Sequence, residues 1–336
     1  MRTQLLPATA ENIDRAGRLL AAGQVVGFPT ETVYGLGADA RNAGAVAEIF
    51  RVKGRPADNP LIAHIADMQL AEELVYLTPL ARLLAGLYWP GPLTMVCRRR
   101  APLPDIVSAG LPTLALRMPA HPVAAALIRA AGTPVAAPSA NRSGKPSTTT
   151  AAHVYADMAG RIPLILDGGA VEIGLESTVV DAQGEYPLLL RPGRISAEML
   201  REACGAVGAP KAGDEQRPPA PGMKYRHYAP AGAVYLAADD AEIAALGARL
   251  RAAGGEPYYI VSDEAARALG ERLGVEERHI RRLGARGDLT AAAHNIFAAL
   301  READARGEAS IVVESVAEEH LGAAIMNRLH KAAAKR

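Results

Sequence analysis

The alternation of apolar and polar positions divides the 336-residue chain into two stretches of different rhythm. In the first, short apolar runs are interrupted by only occasional helical patterns. Thr9 stands as an N-cap before Ala10-Glu11-Asn12, and the periodicity behind it predicts a helix to about Ala22. A strand is expected from Gln24 to Phe28. Pro29-Thr30-Glu31-Thr32 breaks it, and Val33 to Gly37 reads as irregular backbone whose glycines permit close approach. The pattern then predicts helix from Asn42 to Val52, a strand from Leu61 to Ile65, and a helix from Pro79 to Tyr88 stopped at Trp89-Pro90-Gly91-Pro92. Short strands are expected at Leu93 to Cys97, Leu114 to Arg117, Val135 to Ala136, Leu164 to Asp167 and Thr178 to Val180, with helices at Val123 to Ala131 and Ala151 to Met158 between them. Arg191-Pro192-Gly193 ends this run, and a helix from about Ser196 to Val207 closes it. Many strands with few helices predict a twisted mixed α/β sheet with long functional loops rather than a regular doubly wound domain.

Between Gly208 and Gly232 the apolar periodicity disappears and proline accumulates, the composition of a linker. Met223-Lys224-Tyr225-Arg226-His227-Tyr228 nevertheless sets two cations, two tyrosines and a histidine together. This segment reads either as a tether whose aromatic rings pack on a neighbouring surface or as a lid over a ligand. Beyond it, strand patterns at Ala233 to Leu236, Tyr258 to Val261, Ile280 to Leu283 and Ser310 to Val313 alternate with helical patterns at Asp240 to Ala252, Asp263 to Leu273, Leu289 to Arg306 and Leu321 to Ala334. That order predicts a second, smaller parallel-sheet α/β domain. The expected organisation is a first domain over 1–207, a linker or lid over 208–232 and a second domain over 233–336. The second domain carries no GxxxxGK[ST] or GxGxxG between a strand and a helix, which leaves a conventional nucleotide site there without support. Met326-Asn327-Arg328 is expected to pack or be solvated on the last helix.

Composition narrows the class. With 49% hydrophobic and 22% charged residues the chain fits a globular enzyme and not a disordered one. A formal net charge of +1 provides no broad field for a nucleic-acid backbone, although a local basic cleft can hide in that average. Cys97 and Cys204 are the only cysteines and lack metal-ligand spacing, so a reducing compartment is the simpler expectation. MRTQLLPATAENI does not read as a signal peptide, and no apolar run is long enough to span a bilayer; the expected location is the cytoplasm.

The candidate chemistry begins at Lys53-Gly54-Arg55-Pro56-Ala57, running on to Asn59-Pro60. Two cations held close together on stiff backbone suit a polyanion, whereas the bland alternative is surface charge. Ser139-Ala140-Asn141-Arg142-Ser143-Gly144 adds hydroxyl and amide groups after a short apolar run, and the pair of loops suggests a phosphate-bearing small molecule. Arg117, Arg142, Lys145 and Arg191 are further candidate phosphate partners. Ser147 to Thr150 could cradle oxygens or simply cap the following helix. At the strand break one hydroxyl of Thr30 and Thr32 could bind substrate, while Glu31 could cap a backbone amide; His64 reads first as a structural histidine. No aspartate pair has convincing metal spacing, so magnesium is expected to arrive with a nucleotide. Nor is there a Ser-His-Asp order or an elbow motif for covalent hydrolysis.

Taken in order, PTETVYGLG at Pro29 to Gly37, KGRPADNPL at Lys53 to Leu61, WPGPLT at Trp89 to Thr94, APSANRSGKPS at Ala137 to Ser147, ESTVVD at Glu176 to Asp181 and LRPG at Leu190 to Gly193 resemble the threonylcarbamoyl-AMP synthase family. The segments PGMKYRHYAP and AIMNRLHKAA resemble its long form, with a YrdC-like N-terminal domain and an additional C-terminal domain. The resemblance covers nearly the whole chain. It implies a nucleotidyltransferase that joins L-threonine, bicarbonate or carbon dioxide, and ATP into threonylcarbamoyl-AMP and pyrophosphate. That product supplies the threonylcarbamoyl group of tRNAs reading codons that begin with A. Mg²⁺ would come with ATP, and separate downstream proteins would perform transfer to tRNA, so neither stable tRNA binding nor a membrane is implied.

Carried over by motif, Lys53 and Arg55 with Ser139 and Asn141 form the phosphate-binding signature, and Lys53 and Arg55 are the implied catalytic cations. Arg55, Asn59, Thr113, Ser139, Ser147 and Arg191 would contact ATP, whereas Thr32, His64, Arg117, the backbone of Ala137, and Ser177 would surround threonine. Tyr225, Arg226, His227 and Tyr228 would belong to a closing lid. Two other readings compete: an RNA-binding protein, which the charge balance and the few aromatic residues of the first stretch disfavour, and a carbamoyl-transferring maturation enzyme, whose further modules are missing.

Overall fold

The computed structural model describes residues 1–210 and 228–334. They divide into two compact units: a first made of Met1–Ser143, Ser147–Glu172 and the described residues from Glu176 to 210, and a second made of Gly144–Pro146, Ile173–Leu175 and the described residues from 228 to 334. The expected Tyr225, Arg226 and His227 lie outside the described residues.

The first unit is built on one mixed sheet of eleven strands. They are β1 (Gln4–Pro7), β2 (Val26–Phe28), β3 (Gly35–Asp39), β4 (Ile62–His64), β5 (Val75–Tyr76), β6 (Leu93–Arg99), β7 (Thr113–Arg117), β8 (Val135–Ala136), β9 (Leu164–Asp167), β10 (Thr178–Asp181) and β11 (Leu188–Arg191). The order is β1-β9-β2-β3-β8-β4-β7-β6-β10-β11, with β5 beside β6. Parallel and antiparallel pairs are mixed, β4 running parallel to β7 and β6 antiparallel to it. This is the twisted mixed α/β sheet that the short apolar runs predict.

One expectation is corrected inside the sheet: Gly35–Asp39 is a strand, not irregular backbone. Cβ atoms at Gly35 and Gly37 would stand 2.9 and 2.8 Å from the Phe28 ring, so the glycines that suggest irregularity instead let β3 lie against that ring. β1, β5, β11 and the helix Met68–Leu74 are additional to the expected elements. The helix Ala197–Cys204 stops short of Val207, because Gly205 leaves helical geometry with φ +76°.

Alternation along the central strands separates two faces. Leu61, Ala63, Leu93, Met95, Leu114 and Leu116 enter the main core, whereas Ile62, Val96, Ala115 and Val179 form a small buried cluster of their own. By the same alternation His64, Thr94, Thr113 and Arg117 share the second face, and their strands deliver polar groups around an apolar floor.

In the second unit β12 (Ala233–Ala237), β13 (Tyr258–Val261), β14 (Ile280–Arg282) and β15 (Ser310–Glu314) form a sheet in the order β12-β15-β13-β14. Every pair is parallel. Helices Asp240–Ala252, Asp263–Leu273, Leu289–Arg306 and His320–Ala333 complete the α/β alternation. Arg328 on the last helix is interior, its guanidinium 5.8 Å from the ring of Tyr228, which in turn lies 5.2 Å from that of Phe297.

The helix Ala10–Ala21 crosses Pro122–Ala131 closely at Gly17, where a Cβ would come within 2.7 Å of the Ala130 backbone. Gly17→Val should therefore overpack the crossing and cost about 1–3 kcal/mol. A lower urea midpoint is the expected readout; an unchanged midpoint would contradict the close crossing.

Candidate active site

At the carboxyl ends of β4 and β7 the register sets His64 opposite Arg117. Arg117 donates from Nε to the Gly91 carbonyl at 3.2 Å and from Nη1 to Thr32 Oγ1 at 2.8 Å, and its Nη2 lies 2.7 Å from Glu31 Oε1. Thr32 Oγ1 is 2.8 Å from Thr30 Oγ1, and Thr30 donates to the Val33 carbonyl at 2.6 Å. Because Arg117 can only donate and Thr30 has given its proton to a carbonyl, the direction of the chain is fixed: Arg117 to Thr32 to Thr30 to Val33. The turn after β2 is thereby locked to the end of β7.

Only 4% of the Arg117 side chain and 6% of the Glu31 side chain are exposed. Burial alone pushes the Glu31 carboxyl pKa up, but the Arg117 charge, together with hydrogen bonding from Arg117 and from the backbone of Glu31 and Ala120, outweighs burial and holds it below the usual carboxylate range. The residue that the sequence leaves open as a backbone cap is one half of a buried ion pair. His64 is buried with its ring edge-on to Phe28 at 6.3 Å. Burial first, and then the Arg117 charge, lower its pKa to about 3, so it is neutral at physiological pH. Its buried Nδ1 has no hydrogen-bond partner among the described residues.

The second group starts where the helix Ala43–Lys53 ends. Gly54 adopts left-handed backbone at φ +63°, and the Arg55 N–H returns to the Phe50 carbonyl at 3.0 Å, a closure that a side chain at Gly54 would disfavour. Lys53 is thus the last helical residue, and its ammonium donates to the carbonyls of Ser139 and Asn141. The Ser143 N–H donates back to the Lys53 carbonyl at 2.9 Å. Within the loop Ser139 Oγ bonds Asn141 Oδ1, and Asn141 Nδ2 donates to the Arg142 carbonyl at 2.8 Å. Burial first and the Arg55 charge second push the Lys53 pKa well below the ordinary lysine value, against the pull of Asp157 and Glu176.

Arg55 lies over the Phe50 ring and donates from Nη2 to the carbonyls of Asn59 and Pro60 at 3.0 and 3.1 Å. The Asn59 side chain is fully buried, yet neither its Oδ1 nor its Nδ2 has a partner among the described residues. An amide in that state is costly unless something else satisfies it. Thr113 opens β7, at the opposite end of that strand from Arg117 and toward the Asn59 side.

A third group closes the outline. Ser177 Oγ is 2.7 Å from Thr94 Oγ1, and Arg191 donates to the Ser177 carbonyl from Nε at 3.1 Å and Nη2 at 2.9 Å. Ser147 donates to Glu176 Oε1, and the Ala137 N–H binds the Ile62 carbonyl at 2.9 Å. Glu31, Thr94 and Glu176 therefore join the polar framework although none is among the expected site residues. Each lies in one of the sequence motifs quoted above, and that proximity is the signal that could have found them. Of the other candidate cations, Lys145 pairs with Asp304 at 3.1 Å in the second unit, while the Arg142 backbone N–H binds Asp157 at 3.0 Å.

Residues 18–193 match the family model described as telomere recombination, and residues 195–334 match the C-terminal domain of threonylcarbamoyl-AMP synthase. The threonylcarbamoyl-AMP synthase of Bacillus subtilis is 43% identical over 99% of this chain and 96% of its own length. The chain belongs to the threonylcarbamoyl-AMP synthase family. The synthase of Pyrococcus abyssi is 42% identical over 96% of this chain and 94% of its own. The crystal structure of P. abyssi Sua5 complexed with L-threonine superposes with a TM-score of 0.91 at 41% identity, covering 98% of both chains. As a threonylcarbamoyl-AMP synthase, the chain is an enzyme of the nucleotidyl-transfer type, acting in tRNA threonylcarbamoyladenosine biosynthesis. No described helix is long and apolar enough to cross a membrane.

Glu31→Ala should cost about 3–5 kcal/mol, because it leaves the buried Arg117 charge without its partner. Since the folded-state pKa of Glu31 lies below its ordinary value, its contribution is complete above that ordinary value and lost as pH falls through the lowered one. Across that acid range the denaturant midpoint of the native protein should fall more steeply than that of Glu31→Ala. Parallel curves would contradict the ion pair.

Proposed function

We propose that this site condenses L-threonine with bicarbonate or carbon dioxide and adenylates the product with ATP, releasing pyrophosphate. The observation that carries the reading is the pair of buried polar groups at the two ends of β4: the unsatisfied Asn59 amide before the strand and the neutral His64 at its end. Ile62, Ala115, Val96 and Val179 make an apolar floor between these ends. Such a floor with polar groups at both ends suits two small substrates laid toward one another.

Thr32, His64, Arg117, the backbone of Ala137, and Ser177 are the proposed threonine partners. Arg117 offers a planar cation to a carboxylate, and His64, kept neutral, adds no positive charge that would repel the amine. Arg55, Asn59, Thr113, Ser139, Asn141, Ser147 and Arg191 are assigned to ATP, together with Lys53. Mg²⁺ is assigned to the MgATP substrate, whose phosphate oxygens would hold it.

In the proposed reaction the threonine nitrogen, having lost a proton, forms a bond to carbon dioxide. An oxygen of the resulting N-carboxylate then attacks the α-phosphorus in line, and the bond to the pyrophosphate oxygen breaks. Lys53 and Arg55 offset negative charge that grows on the phosphorus and the leaving group. With two of its three donors on loop carbonyls, the Lys53 ammonium retains one for a phosphate oxygen. Positioning supplies much of the remaining acceleration. A lid, which the family resemblance assigns to Tyr225 to Tyr228, would keep water from the mixed anhydride; of these only Tyr228 lies among the described residues, and its ring packs against Phe297 and Arg328 in the second unit. We place the enzyme in the cytoplasm and leave transfer to tRNA to separate proteins.

Pyrophosphate release from MgATP should require both L-threonine and bicarbonate and should accompany a threonylcarbamoyl-AMP species resolved under conditions that preserve the anhydride. Lys53→Ala and Arg55→Ala should each lower turnover by about 10²-fold or more with unchanged circular dichroism. Near-normal turnover in both variants would defeat the proposed cation roles, whereas release independent of threonine would defeat the reaction itself.

A further inference from the structure

The four parallel strands of the second unit end at Ala237, Val261, Arg282 and Glu314. A cavity of about 360 Å³ lies beyond their carboxyl ends, within the size range of small-molecule sites. The helices after β12 and β13 pack on one another, as do those after β14 and β15. Because the sheet order interleaves these strands, neighbours hand the chain to opposite faces, and the crevice opens at the kind of switch point where open α/β sheets receive ligands.

The lining includes apolar walls from Ala238, Leu283, Leu289, Ala292 and Val316, three carboxylates, Asp239, Asp288 and Glu314, one cation, Arg286, and the hydroxyls of Ser262 and Ser315. Glu314 is already engaged, accepting from the Ser262 N–H at 2.6 Å and from Arg286 Nε at 2.8 Å. Arg286 is shared further with Asp240. Asp239 Oδ1 accepts from the Glu242 N–H at 2.8 Å and Asp288 Oδ1 from the Ala291 N–H at 2.9 Å, so each caps a helix with one oxygen and retains the other. Two of the helix N-termini that open on the crevice therefore already carry the protein's own carboxylates, and the third, capped by neutral Ser262, has the Glu314 carboxylate on the Ser262 N–H. What remains is an apolar crevice with a negative rim.

We propose that this crevice binds a small organic amine with an apolar body, the body against the Leu283, Leu289, Ala292 and Val316 walls and the ammonium between Asp239 and Asp288. Every residue invoked belongs to the second unit and none to the substrate site.

Three probes with one aromatic body separate the head groups: tyramine, neutral 4-ethylphenol and the carboxylate 3-(4-hydroxyphenyl)propionate. They are titrated calorimetrically into the full-length protein, with inorganic phosphate as a fourth probe. Tyramine should bind at least about tenfold more tightly than 4-ethylphenol, the scale of a charge-assisted contact, and the two anions should not compete with it. Asp239→Asn with Asp288→Asn keeps both helix caps, since asparagine caps as well as aspartate, yet should weaken tyramine by about tenfold or more. Ala285→Trp, on an exposed loop residue of the cavity wall, should abolish binding while leaving pyrophosphate release unchanged. Failure of tyramine to bind at millimolar concentration, equal affinity in Ala285→Trp, or preference for either anion would overturn the proposal.

Discussion

The placement of one buried guanidinium organises the first unit. Arg117 reaches the Gly91 turn, Thr32 and Glu31, and its positive charge helps to keep His64 neutral. Removing two charges from water costs several kcal/mol each, and only close pairing with satisfied hydrogen bonds repays it. That requirement constrains the two turns on either side of the strand end as tightly as packing does. The same fixed donors that hold the turns present a planar cation at the His64 end of the site, and the proposed recognition of threonine falls to that side chain.

Lys53 applies comparable logic at a helix terminus. Gly54 ends the helix, and the ammonium then clamps the carbonyls of Ser139 and Asn141. Burial makes the lysine a weaker base than usual, and the nearby Arg55 adds to that effect. A cation held by backbone oxygens loses little freedom when a phosphate approaches. The loop is consequently shaped before substrate arrives, and the polar groups without partners, above all the Asn59 amide, are concentrated where substrate is assigned.

Local signals carried much of the fold. Thr9 caps its helix as its position before the apolar period predicts, and the strand-helix alternation after residue 232 becomes the four-stranded parallel sheet. Val33 to Gly37 misled because glycine is a poor strand former in isolation, and its value here depends on the Phe28 ring across the sheet. The candidate site residues stand out as motifs in the sequence, but their structural partners do not. Arg117 finds Thr32 across 85 positions and Lys53 finds the Ser139 carbonyl across 86. Glu31 illustrates the difference: a short polar turn is visible locally, whereas the guanidinium that turns its carboxylate into an ion pair arrives only with the tertiary fold.

Arg117 is assigned to the threonine end of the site, and Lys53 with Arg55 to the nucleotide end. The direct test is equilibrium binding of L-threonine and of a non-hydrolysable ATP analogue, measured separately on the native enzyme and on Arg117→Lys, which keeps the charge and removes the planar fork. Threonine affinity should fall by about tenfold or more while affinity for the analogue stays within about twofold. Equal losses for both ligands, or a loss confined to the nucleotide, would contradict this assignment.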